Sequence, residues 1–473
     1  MKKKYIHFVG IKGVGMTPLA LIAKEAGCKV TGSDIAQEFI TDVTLHAAGI
    51  FPLVGFEPSH VTNPDLLITT GAHGGFDNPE VKEAKEKGIR VMTAGEATGA
   101  FVDGSILGKK YKGIAVAGTH GKTTTSGILA TILKENGLDP AYFIGTGDVG
   151  SLGAPGSFGK GKYFVVEADE YASEPKHDKT PRFLWQHPAF AIITNIEFDH
   201  PDIYDSIDSI RNAFLKLAKQ VDPKGAIIVC GDDEQVQLLL KEYQGRVITY
   251  GLSPQNDYVI KRVNVSENQT FFWVDSKDMS LGQFVLNVPG EHNALNALAA
   301  TIVSLEIGVS LEKIKTGLLA FKGSKRRLEF IGELPTGAKV YDDYAHHPTE
   351  IIKTLTTLRK QYPKKKIICI FQPHTYSRTK MLFDDFQKAF GTIDELFIIV
   401  TAIYASLREQ PDPTISGKKL AEAMHIARKD VHYLENLNDV VQYINEKRLG
   451  NNTILVTMGA GDIYTIHSQL TFI

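Results

Sequence analysis

Apolar positions along the chain gather into short runs, each stopped by glycine or by acidic residues and followed by a stretch with helical spacing. The first run, Tyr5–Val9, breaks at Gly10, and a turn through Gly13 and Gly15 opens a helical stretch over 16–26. A strand over 29–31 ends in Gly32, Ser33 and Asp34, and further strands at Leu66–Thr69 and 90–92 alternate with helical segments, which makes this an open parallel α/β unit. Residues 114–117 form the next apolar run. It breaks between Gly118 and Gly121, after which Ile128, Leu129, Ile132 and Leu133 recur at helical spacing as far as Gly137. Runs at 163–166 and 191–194 end in carboxylates, and 206–219 predicts an amphipathic helix with Ser206 as N-cap and Ile207, Ile210, Phe214 and Leu217 on one face. Beyond a strand at Ala226–Cys230 and a less patterned β-like region, 247–288, Pro289 and Gly290 open an alanine-rich helix. A basic, hinge-like stretch at 322–329 leads into another α/β unit, with strands near Val340, 367–371, Leu396–Val400 and 454–457.

A chain of 473 residues exceeds one ordinary core. The polar stretch at 104–112 and the basic one at 322–329 divide it into domains 1–108, 109–324 and 325–473. The fold class expected is α/β in three domains: Rossmann-like, central P-loop ATPase-like with a parallel sheet, and Rossmann-like again. With 52 Lys and Arg against 54 Asp and Glu, nothing suggests a nucleic-acid or membrane partner. The basic start, Lys2 to Lys4, precedes an apolar run too short for a secretory signal, and no run approaches membrane-span length. Cys28, Cys230 and Cys369 lack metal-ligand spacing and read as buried free thiols of a reducing, cytoplasmic compartment.

The turn Gly118, Thr119, His120, Gly121, Lys122, Thr123, Thr124 carries the main chemistry. Its N–H groups lie at a helix N-terminus, where an anion is favoured; Lys122 supplies a point charge to the outer phosphates, and the Thr123 hydroxyl suits Mg²⁺. That is an ATP site of a shortened form, since Val116 stands where the full pattern has glycine. Two acidic strand ends, Glu167 to Glu170 and Asn195 to Asp202 with His200 between, converge on the same loop and offer the oxygen ligands Mg²⁺ prefers. At the N-terminal turn Pro18 replaces the last glycine of a dinucleotide fingerprint, so NAD is not licensed. A diphosphate on Gly13 and Gly15 with a ribose near Ser33 and Asp34, as in a UDP-linked sugar, satisfies the same physics. Asn293 and Asn296 share a helical face and present amides suited to an adenine edge. In the last unit, Asp342 to Pro348 places acids and two histidines at a strand end, and Arg378 offers a guanidinium for a carboxylate. The tight turn at 458–462 is either structural or part of a cleft border.

These stretches, with 10–16, 118–125, 167–170, 195–200, 290–296, 325–329, 342–348, 371–379 and 458–462 in order, resemble the Mur ligases, the ATP-dependent amide-forming enzymes of peptidoglycan synthesis, and among them the alanine-adding branch. The resemblance implies domains for UDP-sugar, ATP and amino acid. It implies Lys122 on phosphates, Thr123 and Glu167 on one Mg²⁺, His200 on a second, Asn293 and Asn296 on adenine, and Arg327 and Asp343 on ATP. His347 and Arg378 would lie around the amino acid. The implied substrates are UDP-N-acetylmuramate, ATP and L-alanine, joined through an acyl phosphate by a monomer or weak homodimer. The proton of the incoming ammonium would pass to His200, His346 or His347. Closure of the third domain would exclude water and give the hinge near 324–327 a function. Two departures bear on the nucleophile. Many alanine-adding members have arginine where Thr375 stands, and 171–183 looks more like the ligase that attaches a ready-made tripeptide during murein recycling. A non-catalytic nucleotide sensor would lack Glu167 and His200, and a folate polyglutamate-type ligase lacks a UDP-sugar unit.

Overall fold

The structure is a computed structural model that describes residues 3–266, 268–405 and 409–473; of the basic start, Lys2 lies outside them. Three α/β sheets and a small hairpin account for its strands. The first sheet is wholly parallel, ordered Leu53–Val54, Lys29–Asp34, Tyr5–Val9, Leu66–Thr69, Arg90–Thr93. Its order reverses beside Tyr5–Val9, so the Gly10 turn and the loop after Thr69 flank the crevice where such sheets bind ligands. The second strand runs on to Asp34, beyond the expected end at Thr31. Gly32 sits within it because Ile11 and the Phe8 carbonyl press on the backbone: a Cβ there would lie 2.6 Å from both Ile11 Cδ1 and Phe8 O. The glycine that reads as a strand terminator is a close-packing position instead.

The second sheet has ten strands, and the loop-bearing strand Lys112–Ala117 lies inside it between Tyr163–Glu167 and Phe190–Ile193, all parallel. Phosphate loop and acidic strand ends therefore emerge side by side at one edge. The β-like region resolves into Val247–Gly251, Tyr258–Val265, Thr270–Ser276 and Ser280–Leu286, the last pair antiparallel. The helix that follows the loop, Lys122–Glu135, is seated on Leu311–Ala320 at glycine distance, since a Cβ on Gly317 would meet Ile132 Cα at 2.7 Å. The helix expected at 206–219 spans Ile207–Lys219, capped by Ser206 in a reciprocal box with Ser209.

The first two sheets share a core. Ile6, Phe8, Leu19 and Phe101 from the first pack in one cluster with Ala141, Phe143, Phe164 and Val166 from the second. Together they form one compact unit that runs to Lys325. The hairpin Ala172–Glu174 and Asp178–Pro181 belongs to it.

A separate compact unit, essentially Arg326–Ile473, is built on the third sheet. Its order is Glu329–Glu333, Lys339–Asp343, Thr453–Met458, Lys366–Phe371, Leu396–Val400, Val431–Tyr433, with only the first pair antiparallel. The order again reverses at a strand carrying site residues, so Asp343, Phe371 and Met458 end side by side. Cys28, Cys230 and Cys369 are buried free thiols. Among the described residues, no helix is long and apolar enough to cross a membrane.

Candidate active site

The phosphate loop is clamped by the segment after the neighbouring strand. The Thr119 N–H donates to the Asn195 carbonyl (3.1 Å), the His120 N–H to Asn195 Oδ1 (2.9 Å), and the Glu197 N–H to Thr119 Oγ1 (2.8 Å). Glycine is required at both bends. Gly118 has φ +131° and its backbone passes Thr194 so closely that a Cβ would lie 2.0 Å from Oγ1; Gly121, with φ +84°, caps the helix against Asn296. Asn296 and Asn293, the expected adenine ligands, are thus buried beside the loop, where the Asn296 amide donates to Asn293 Oδ1 (3.3 Å).

Lys122 turns back over the loop. Its ammonium donates to the carbonyls of Gly118 (2.6 Å) and Thr119 (3.2 Å) and pairs with both oxygens of Glu170 (2.8 and 3.0 Å). Burial works against the Lys122 charge, but Glu170 and Asp169 outweigh it and push its pKa up; burial pushes the Glu170 carboxyl up as well. Thr123 Oγ1 donates to Glu167 Oε1 (3.0 Å), whose other oxygen takes the Gly145 N–H (2.7 Å). His200, at φ +56°, brings Nε2 to 3.8 Å from Glu170 and 3.7 Å from Asp199, its ring beside Tyr171. Asp169, Glu170 and His200 hold ligand atoms within 4.8 Å of one another. The sequence pointed to Glu167 and His200. Glu170 it placed in the acidic cluster offered to Mg²⁺ without an individual role, and the pairing with Lys122 was not foreseen.

At the N-terminal turn the side chains face inward. Asp34 is buried, its carboxylate accepting the N–H groups of Lys12 (2.7 Å) and Ile35 (2.8 Å), with His73 at 3.6 Å; burial pushes its pKa up. Ser33 is also buried, donating its hydroxyl to Glu80, while its carbonyl accepts Gly10 and Ile11 N–H. Both residues, expected near a ribose, serve here as struts of the turn. Gly13 and Gly15 form the turn itself, with the Gly13 carbonyl accepting Met16 and Thr17 N–H.

In the second compact unit, Arg326 is buried at φ +60°. Its Nε pairs with Asp342 (2.9 Å), and Nη1 and Nη2 donate to the carbonyls of Gly461 (3.1 Å) and Gly459 (2.5 Å). The turn at 458–462 therefore anchors the residue that precedes Arg327, whose guanidinium lies 5.0 Å from the Tyr344 ring centre. Asp343 accepts from Leu328 N–H (3.0 Å), Ala345 N–H (2.7 Å) and the Thr354 hydroxyl (3.0 Å). Burial, against the field of Arg327, still raises its pKa from 3.8 to about 6. His346 Nδ1 lies 2.9 Å from the Tyr344 carbonyl and 3.4 Å from Glu350, whereas His347 Nδ1 accepts the Thr349 N–H (3.3 Å). Arg378 is buried, with Nη1 donating to His374 Nδ1 (3.1 Å) and its carbonyl (3.2 Å). At the start of its helix, Glu409 accepts the N–H groups of Tyr376 (2.6 Å) and Ser377 (3.1 Å).

Three family models match in order: "Mur ligase family, catalytic domain" over residues 5–105, "Mur ligase middle domain" over 116–304, and "Mur ligase, glutamate ligase domain" over 326–461. A UDP-N-acetylmuramate–L-alanine ligase of Desulfitobacterium hafniense is 38% identical over 467 residues, 98% of this chain and 99% of its own. The same-named protein of Carboxydothermus hydrogenoformans is 39% identical, covering 98% and 96%. Among solved structures, a UDP-N-acetylmuramate–alanine ligase from Thermotoga maritima superposes at TM-score 0.80 with 29% identity over 98% of both chains. A murein peptide ligase from Psychrobacter arcticus reaches 0.71 with 26% identity, covering 99% and 98%.

The raised Asp343 pKa gives a signed expectation. Between pH 3.8 and about 6 the folded chain holds a proton that the unfolded chain releases, so stability falls as pH rises through that window and the full cost is present above it. Asp343→Asn should remove this slope. Relative to wild type, the variant should gain up to about 3 kcal/mol between pH 4 and 7, whatever its constant offset from altered hydrogen bonds. Urea unfolding across that range, followed by circular dichroism, checks it; parallel wild-type and variant curves would refute the assignment.

Proposed function

The chain belongs to the Mur ligase family, and from that premise we propose that it joins L-alanine to the lactyl carboxylate of UDP-N-acetylmuramate, converting ATP to ADP and phosphate, in cytoplasmic peptidoglycan-precursor synthesis. Residues 1–108 would bind the UDP-sugar, 109–324 ATP, and 325–473 the amino acid. The observation that carries the reading is the buried Lys122 ammonium, held over a loop of helix N-terminal amides between two acidic strand ends. The full-length likeness to alanine ligases supports alanine as nucleophile.

Both reactants of the first step are anions. A carboxylate reaches the γ-phosphorus only if the triphosphate charge is offset, which Lys122 and the helix N-terminal amides of 121–124 would do from preset positions. Displacement of ADP leaves an acyl phosphate, whose carbon the amino group then attacks, expelling phosphate. Mg²⁺ fits the donors present: the Thr123 hydroxyl and Glu167 at one point, and Asp169, Glu170 and His200 at another, oxygen ligands with a single imidazole. When bound, it would supply further positive charge to the phosphates. Asn293 and Asn296 would meet the adenine, with Arg327 and Asp343 also assigned to ATP.

The amino acid must lose a proton before it attacks. Tautomers separate the two adjacent histidines. A carbonyl only accepts, so His346 carries its hydrogen on Nδ1 and its lone pair on Nε2; the Thr349 N–H only donates, so neutral His347 has its lone pair engaged at Nδ1. In that tautomer His346 would offer Nε2 as the base and His347 would cap the helix beside it, with His200 the third candidate. The Arg378 guanidinium would take the amino-acid carboxylate.

Incubation with ATP, Mg²⁺ and UDP-N-acetylmuramate, adding L-alanine, other amino acids or the tripeptide in turn, tests the reading through phosphate release. Alanine-dependent release is expected; release with tripeptide alone would reassign the chain to murein recycling. Lys122→Ala should abolish release while leaving UDP-sugar binding, and wild-type turnover would remove the loop from the chemistry. His346→Gln should lower kcat by about 10²-fold or more, the usual share of a general base, with His347→Gln losing much less. Equal losses in the two would refute the tautomer argument.

A further inference from the structure

The near-equal totals of acidic and basic residues conceal an uneven distribution over the first compact unit. Neighbouring parallel strands put their starts at one edge and their ends at the other, and the glycine turn and phosphate loop both follow strand ends. The starts are lined with lysine. Lys3 and Lys4 precede Tyr5–Val9, and Lys29 opens the next strand in register with Tyr5. Lys112 opens the loop-bearing strand in register with Tyr163, which Lys162 precedes. Contacts join the two groups into one face. The Lys4 ammonium donates to the Ile106 carbonyl (2.8 Å) and the Lys109 ammonium to that of Gly159 (2.9 Å), while the Lys112 N–H donates to the Lys162 carbonyl (2.9 Å). Lys110 and Lys160 extend it. Of these, Lys3, Lys29, Lys110, Lys112, Lys160 and Lys162 are exposed.

Four carboxylates lie among these lysines, each engaged by backbone. Asp65 accepts the Tyr5 N–H (2.7 Å), Asp103 the Ser105 N–H (2.7 Å), Asp139 the Lys160 N–H (2.9 Å) and Glu25 the Phe158 N–H (2.7 Å). Among the described residues, none of the four forms an ion pair with a lysine of this face. Lysine outnumbers carboxylate here, whereas the whole chain carries −2, so the remaining surface is net negative. A negative layer would therefore turn this face toward itself.

The kind of cation narrows the partner. Protein interfaces are depleted in lysine and enriched in aromatic residues and arginine. Here the cations are compact ammonium groups without the guanidinium fork that grips a single phosphate. The aromatic rings lie under lysines instead of being offered to a partner or a nucleobase: Lys29 stands 4.0 Å from the Tyr5 ring centre, Lys109 4.5 Å from that of Tyr111, and Lys162 5.7 Å from that of Tyr163. Such a surface fits a diffuse sheet of fixed negative charge.

We propose that this lysine face docks the protein reversibly on the anionic phospholipid headgroups of a membrane. Attachment is electrostatic and peripheral, without insertion. The phosphate loop leaves the far end of the six-residue strand that Lys112 opens, about 20 Å away, so the loop stays clear of the lipid.

Co-sedimentation of the full chain with vesicles tests this. Wild type should sediment with vesicles that are half phosphatidylglycerol, not with pure phosphatidylcholine, and should be released as salt is raised well above about 0.15 M. Lys110→Gln, Lys112→Gln and Lys162→Gln combined should weaken binding about a hundredfold, at about fivefold per lysine near an anionic leaflet. The thermal midpoint and the affinity for a non-hydrolysable ATP analogue should stay put. A control that removes the same charge elsewhere, Lys219→Gln, Lys241→Gln and Lys313→Gln, should lose much less. Equal losses in the two triple variants overturn the proposal, because net charge alone would then be responsible. So does equal binding to phosphatidylcholine, or no binding to either vesicle at low salt. Retention of wild type on single-stranded DNA without vesicle binding would give the face to a nucleic acid and overturn the lipid assignment.

Discussion

One buried ion pair, Lys122 with Glu170, organises the site. An ammonium taken out of water is costly, and this one is retained because two loop carbonyls and a carboxylate surround it. Those acceptors exist together only because the loop-bearing strand lies between the two strands whose ends carry the acids, and because Gly118 lets the backbone pass against Thr194. The arrangement also sets the sequence of events at the loop. In the proposed reaction a cation paired with Glu170 would have to share itself when phosphate oxygens arrive, and the carboxylate it releases would sit beside His200 among metal-competent donors.

Much of this was legible in the chain because it is local. The change from a strand run to helical spacing across 117–122 marks the loop, and acidic residues at the ends of apolar runs mark the strand ends that meet it. What could not be read was decided by residues far apart. Ser33 and Asp34 have the composition of a ribose site, but Glu80 and the N–H groups of Lys12 and Ile35 claim their side chains. Gly32 has the look of a strand end and is a packing position under Ile11. Lys12 stands in a glycine turn as a phosphate ligand would, and loop carbonyls 23 and 25 positions on draw it away. His346 and His347 are indistinguishable as letters and differ only in what touches Nδ1. In each case the alphabet offers a functional group, and a tertiary partner decides whether it faces substrate or scaffold.

The second compact unit works by a different economy: its polar groups are tied to one another in chains. Glu409 satisfies the amides at the start of the Tyr376–Met381 helix, and Asp343 collects three donors from three segments. Arg378 is held by His374 of the preceding turn, which fixes the direction of its guanidinium.

The longest of these chains begins at Arg326. Asp342 accepts from Arg326 and, through its other oxygen, from the Thr457 hydroxyl (2.6 Å), which in turn accepts from His467 Nε2 (3.0 Å). Residues 326 and 467 stand at opposite ends of this part of the sequence and at the two ends of one short hydrogen-bonded relay. The turn Ile463–Gln469 is thereby linked through three hydrogen bonds to the residue that precedes Arg327, and loss of the His467 ring would remove the outermost of them.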